Sequence, residues 1–140
     1  MSDLINQLKS EHQQISLILT EVNNLGITTY EGQIKLISVK NLLFKHLQKE
    51  NEELFPVLNA AAKNNRVLKT NMQVLSLEMR TITGETAHFF QKHEGCGAVM
   101  EFNRDFIKIF TLLLQRFAKE EKVLYSEYIR IKRLVKSFSR

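Results

Sequence analysis

The chain has 140 residues, 44% of them hydrophobic, enough for one globular domain with a buried core and too few for two ordinary ones, so a single domain over residues 1–140 is expected. Its one cysteine, Cys96, excludes an internal disulfide framework and a cysteine-rich zinc site. The formal charge is +5, and Arg130, Lys132, Arg133, Lys136 and Arg140 account for it in an acid-free C-terminal stretch. That stretch reads as a solvated helix end whose cations complement the helix dipole, and nucleic acid is not an expected partner. The N-terminal MSDLINQLKSEHQQ carries charges too early for a signal peptide, and no apolar run approaches a membrane span, which points to a cytoplasmic location.

In chain order the first predicted element is an amphipathic helix over about residues 3–24, with Leu4, Leu8, Ile15, Leu19 and Val22 at three- and four-residue steps and His12 inside the stripe. The second, about 32–53, is expected to bury Ile34, Ile37, Leu42, Leu43 and Leu47, together with His46 and Glu50, before Pro56 disturbs it. A third, about 66–93, places Leu68, Met72, Leu75, Met79, Ile82 and Phe90 on one face, with Gly84 as its weak point. The fourth, about 98–136, carries Phe106, Ile109, Leu113, Phe117, Leu124, Ile131 and Leu134, with Arg116 and Glu120 on or beside the stripe. Gly26, Gly32, Gly95 and Gly97 fall between these segments and strand signals are absent. The expected fold is therefore all-α, an antiparallel up-down four-helix bundle.

Glu50 and Glu120 carry the chemical question. An ionised carboxylate inside a bundle is strongly disfavoured unless a cation or several donors compensate it. The surrounding sequence repeats. Leu42-Leu43-Phe44-Lys45-His46-Leu47-Gln48-Lys49-Glu50 aligns without gaps to Leu112-Leu113-Leu114-Gln115-Arg116-Phe117-Ala118-Lys119-Glu120, so Glu50 matches Glu120 and His46 matches Arg116. Glu11-His12-Gln13-Gln14-Ile15 similarly matches Glu78-Met79-Arg80-Thr81-Ile82, pairing His12 with Met79. Two such helix pairs imply a pseudo-twofold bundle in which one half offers two imidazoles, the other none, and each contributes a carboxylate.

The motifs E-H-x-x-I in the first helix and L-L-x-x-H-L-x-x-E followed by L-F-P in the second resemble the haemerythrin-like (HHE cation-binding) family, over nearly the whole chain. The resemblance implies a four-helix bundle holding non-haem iron, with His12 and His46 as terminal ligands and Glu50 and Glu120 as bridging carboxylates. Met79 and Arg116 stand where it implies further histidines for a second iron, and a guanidinium cannot be deprotonated to ligate a metal. The second ion therefore loses its terminal ligands. His12, His46, Glu50 and Glu120 suit one borderline divalent ion such as Fe(II), Zn or Mn, and Arg116 is expected to fill the other half as a fixed cation forked onto Glu50 or Glu120. His88 and His93 lie too far along the third helix to substitute, and read as surface or bundle-end residues; Glu78 and Glu121 are rotated off the inner face by about 100°. Cys96 is expected in a loop.

Two carboxylates, Arg116 and one protonated histidine also sum to zero charge, so a metal-free network is open alongside the metal site. Two functions follow: a metal-binding module that handles or senses iron, oxygen or nitric oxide, or a metal-free bundle serving as a regulatory or protein-interaction domain. With no Ser/His/Asp set, no glycine-rich phosphate loop and no Cys–His pair, no enzymatic activity is expected.

Overall fold

The computed structural model describes residues 3–93 and 99–138. Gly95, Cys96 and Gly97, expected in a loop, and Arg140 lie outside them. All regular structure among the described residues is helical: α1 (Asp3–Leu25), α2 (Tyr30–Lys49), α3 (Phe55–Ala62), α4 (Arg66–His93), α5 (Val99–Lys119) and α6 (Ser126–Phe138). Widened π-helical segments, Glu50–Leu54 and Glu120–Tyr125, join α2 to α3 and α5 to α6. The chain thus forms a helical bundle of four rods. α1 packs along α2, α4 along α5, α1 against α5, and α3 against both α4 and α6. None of the described helices is long and apolar enough to cross a membrane.

Local chemistry sets the ends of these rods. Gly26 adopts φ +73° just past α1 and returns its N–H to the Val22 carbonyl at 2.8 Å, a left-handed stop that glycine adopts without strain. Thr29 then caps α2, its hydroxyl accepting the Gly32 N–H at 2.9 Å. A Cβ on Gly32 would lie 1.7 Å from the Gly26 carbonyl oxygen, so only glycine lets α1 and α2 meet so tightly. Asn65 caps the start of α4 by accepting the Leu68 N–H at 3.1 Å.

The buried stripe of α2 and the burial of Leu134 on α6 are corrected, whereas the third helix is found at its expected bounds. Ile34 and Ile37 are exposed, and the buried stripe of α2 is Leu36, Val39, Leu43 and His46, because Leu36 and Val39 share the helical phase of His46 while the isoleucines do not. Pro56 does not end its rod: seated in the first turn of α3, where a missing N–H is tolerated, it follows a π segment whose Phe55 N–H reaches back five residues to the Glu50 carbonyl. α4 runs unbroken through Gly84. On α6, Ile131 is half-buried and Leu134 exposed, as the rod outruns its neighbours.

The core is split. One apolar cluster gathers Ile15, Leu19, Val22, Leu43, Phe106 and Phe117; another gathers Ile5, Leu8, Leu54, Leu58, Leu124 and Tyr125. Along three rods a polar residue lies between them: His12 on α1, His46 and Glu50 on α2 and its π segment, Arg116 and Glu120 on α5 and its π segment. The candidate site is this polar layer.

Candidate metal centre

His12, His46, Glu50 and Glu120 are all buried, and each offers one ligand atom within 4.8 Å of the others. They lie close enough to hold a metal ion. Both glutamates open a π segment, 70 positions apart in sequence (120 − 50). Such one-turn widenings are frequent at functional sites, because they change which side chain follows the ligand on the inner face. Here that side chain is Tyr125, five residues after Glu120. Its hydroxyl donates to Glu50 Oε2 at 2.7 Å and lies 3.0 Å from His12 Nε2.

Each imidazole is held from outside by a carboxylate. His46 Nδ1 lies 2.7 Å from Glu11 Oε1, and Lys49 Nζ supports the same carboxylate at 2.7 Å from Oε2. His12 Nδ1 lies 2.8 Å from Glu121 Oε2. A carboxylate only accepts, so Nδ1 carries a hydrogen in both rings, and Nε2 turns toward Glu50 in His46 and toward Glu120 in His12. The His12 and His46 ring centroids are 4.7 Å apart, and His12 stacks on Phe117 at 4.0 Å. From solvent the layer is reached along a groove of about 790 Å³ between α1 and α5, lined by His12, Leu114, Phe117 and Glu121 among others.

Electrostatics divide the four residues. Burial acts to lower the pKa of His46, but Glu50 and Glu11 outweigh it and hold the imidazole above its ordinary value. For His12 burial prevails over the Glu121 hydrogen bond and the pKa falls. Burial pushes Glu120 well above the carboxylate range, and the neighbouring Glu50 charge pushes it further. Glu50 resists the same burial because His46, the neighbouring Glu120 carboxyl and Tyr125 favour its ionised form, leaving it lowered. Two adjoining carboxylates thus retain one proton, on Glu120, whose Oε1 lies 3.1 Å from His12 Nε2. Tyr125 is driven upward by burial and by Glu120 and Glu50, so it remains a neutral donor.

The structure brings together the four residues expected as ligands and corrects the surrounding details. Arg116 is 3% exposed but does not fork onto a glutamate: Nη1 donates to the Leu75 carbonyl at 3.1 Å, and Nε stays 3.7 Å from Glu120 Oε2. Met79 is half-buried and takes no part in the cluster. Glu121, expected off the inner face, is 40% exposed yet reaches His12 from the groove. His88 is exposed, whereas His93 is buried at the end of α4, 2.8 Å from Asp105, which His93 and Lys92 hold below the usual carboxylate range. Tyr125 was hidden from sequence because helical periodicity from Glu120 selects Leu124, not the fifth residue. No protein-family model matches the chain, and neither curated proteins nor solved structures provide a match.

Proposed function

We propose that this chain is a haemerythrin-like antiparallel bundle, built on a pseudo-twofold repeat, that holds a single divalent ion, iron or a similar metal, in handling or sensing iron, oxygen or nitric oxide. One observation carries it: His46 Nε2, Glu50 Oε1 and Glu120 Oε2 are buried without a hydrogen-bond partner among the described residues, and each belongs to the four-residue cluster. Buried polar atoms are nearly always satisfied, and one cation among them would satisfy all three. The donor set, two imidazoles and two carboxylates, suits Fe(II), Zn or Mn. The sequence motifs and the paired π segments beginning at Glu50 and Glu120 support the repeat.

His12, His46, Glu50 and Glu120 would hold the ion. When bound, it supplies Lewis acidity and, if iron, redox capacity. The chain's own residues do the rest. Glu11 and Glu121 orient the two imidazoles, the standard support for histidine ligands; Tyr125 fixes Glu50; and Glu120 gives up its proton on binding. The apolar clusters on either side shield the layer, and the groove beside His12 is where a small diatomic molecule would approach it.

A second reading, a metal-free regulatory or interaction domain, is favoured by the raised pKa of His46: with Glu120 keeping its proton, protonated His46 offsets Glu50 without any ion. Metal content decides between them. Protein from iron-supplemented cells is expected to carry about one equivalent of metal per chain and His46→Ala almost none; a metal-free parent would reject the first reading and leave the second.

A further inference from the structure

We propose that Arg116 forms a small-anion site, taking a planar monoanionic oxyanion of formate or bicarbonate size from the cleft between α4 and α5. A guanidinium has five N–H donors. Arg116 gives one from Nη1 to Leu75, while Nε and Nη2 find no acceptor among the described residues although both are buried. Glu120 Oε2, 3.7 Å from Nε, is beyond hydrogen-bond reach. A guanidinium withdrawn from water ordinarily forks onto a carboxylate; here the protein leaves that fork open.

Space is provided beside it. Arg116 lines a cleft of about 570 Å³ together with Ile82, Leu112, Glu78 and Lys119. The Lys119 ammonium crosses to Glu78 on α4 at 2.9 Å, placing an exposed positive charge on the rim. Two features select the ligand. The fork matches two coplanar oxygens of a carboxylate-like group, and the nearby Glu50 and Glu120 carboxylates disfavour a dianion.

The anion is coupled to the metal, a step that rests on the function proposed above. A divalent ion held by Glu120 would take up the one carboxylate near Arg116 Nε, 3.7 Å away, and leave the guanidinium to the anion, so ion and anion should strengthen each other's binding reciprocally.

The test is a titration of sodium formate into chelated and zinc-loaded protein, followed in nitrogen-15 spectra through the Arg116 Nε–H and, in every variant, the backbone amides of Ile82, Leu112 and Lys119 that line the cleft. A saturable shift is expected, with affinity in the zinc form at least about fivefold higher and no saturable response in Arg116→Met. Glu78→Gln, which removes a negative charge from the rim, should tighten formate by about twofold or more and supplies the test if Arg116→Met fails to fold. An Arg116 resonance unmoved by formate in both forms, or formate affinity indifferent to Arg116→Met and Glu78→Gln, overturns the site. Equal affinity in the two forms overturns the coupling. A chain that takes up no zinc defeats the metal reading, while formate binding by the chelated protein still decides the anion site.

Discussion

Tyr125 touches an imidazole and a carboxylate of the cluster through one oxygen, donating to Glu50 at 2.7 Å and meeting His12 at 3.0 Å. Tyr125→Phe keeps the ring and removes the hydroxyl, leaving Glu50 Oε2 buried with its best donor gone. Such a loss costs about 1–3 kcal/mol, and urea unfolding of the chelated variant should show it; an unchanged midpoint would mean the hydroxyl contributes nothing. Glu11 acts one bond further out. Glu11→Gln retains the shape but can present its amide nitrogen to His46 Nδ1, which weakens control of the ring's tautomer and of Nε2. Metal affinity is expected to fall by about 10- to 100-fold in competition with a chromophoric chelator, with the fold unaltered by circular dichroism. The four clustered residues were legible because His46 and Glu50 stand four apart on the inward stripe of an amphipathic helix, which ordinary core residues do not explain. The outer carboxylates were not: whether Glu121 reaches His12 depends on how α1 and the second π segment pack, and no periodicity encodes that.

At the level of elements, the extents of α1 and α4 could be read from apolar spacing and the glycines that follow them, while the buried phase of α2 could not. Ile34 and Ile37 compete with Leu36 and Val39 for the buried face, and only docking against α1 decides between them. The π segments were equally invisible, since one extra residue in a turn leaves the apolar pattern intact on both sides and shifts it between them. The α1–α2 turn shows how narrowly such docking is specified. A methyl at Gly32 would overlap the Gly26 carbonyl, and that atom is backbone, unable to rotate away. Gly32→Ala should destabilise by about 1–3 kcal/mol, whereas Gly84→Ala, with nothing near its Cβ, should stabilise its helix by about 0.5–1 kcal/mol. Matched thermal melts of the two variants separate a steric turn from a tolerant helix interior; equal shifts in one direction would contradict the geometry.

For the whole molecule, the polar layer makes stability a function of pH, and the sign follows from its protons. His46 has a folded pKa above 6.5 and Glu120 one well above 4.5, so each contributes stability that is present at lower pH and lost as pH rises through the folded value. His12, lowered from 6.5, and Glu50, lowered from 4.5, act oppositely, their contributions fading as pH falls. Above 6.5 His12 is already neutral in the unfolded chain, leaving His46 and Glu120 to set the trend. Chelated protein should therefore melt at a lower temperature at about pH 8.5 than at about pH 6.5, with a limit near 1.4 kcal/mol per pH unit for each proton lost. A bound ion reverses this dependence, since it occupies the positions those protons leave and binds better as they depart. The stabilisation conferred by zinc, measured as the difference between loaded and chelated melting temperatures, is accordingly expected to grow over the same interval. A zinc increment that shrank with rising pH would show that the ion binds somewhere other than the layer of His12, His46, Glu50 and Glu120.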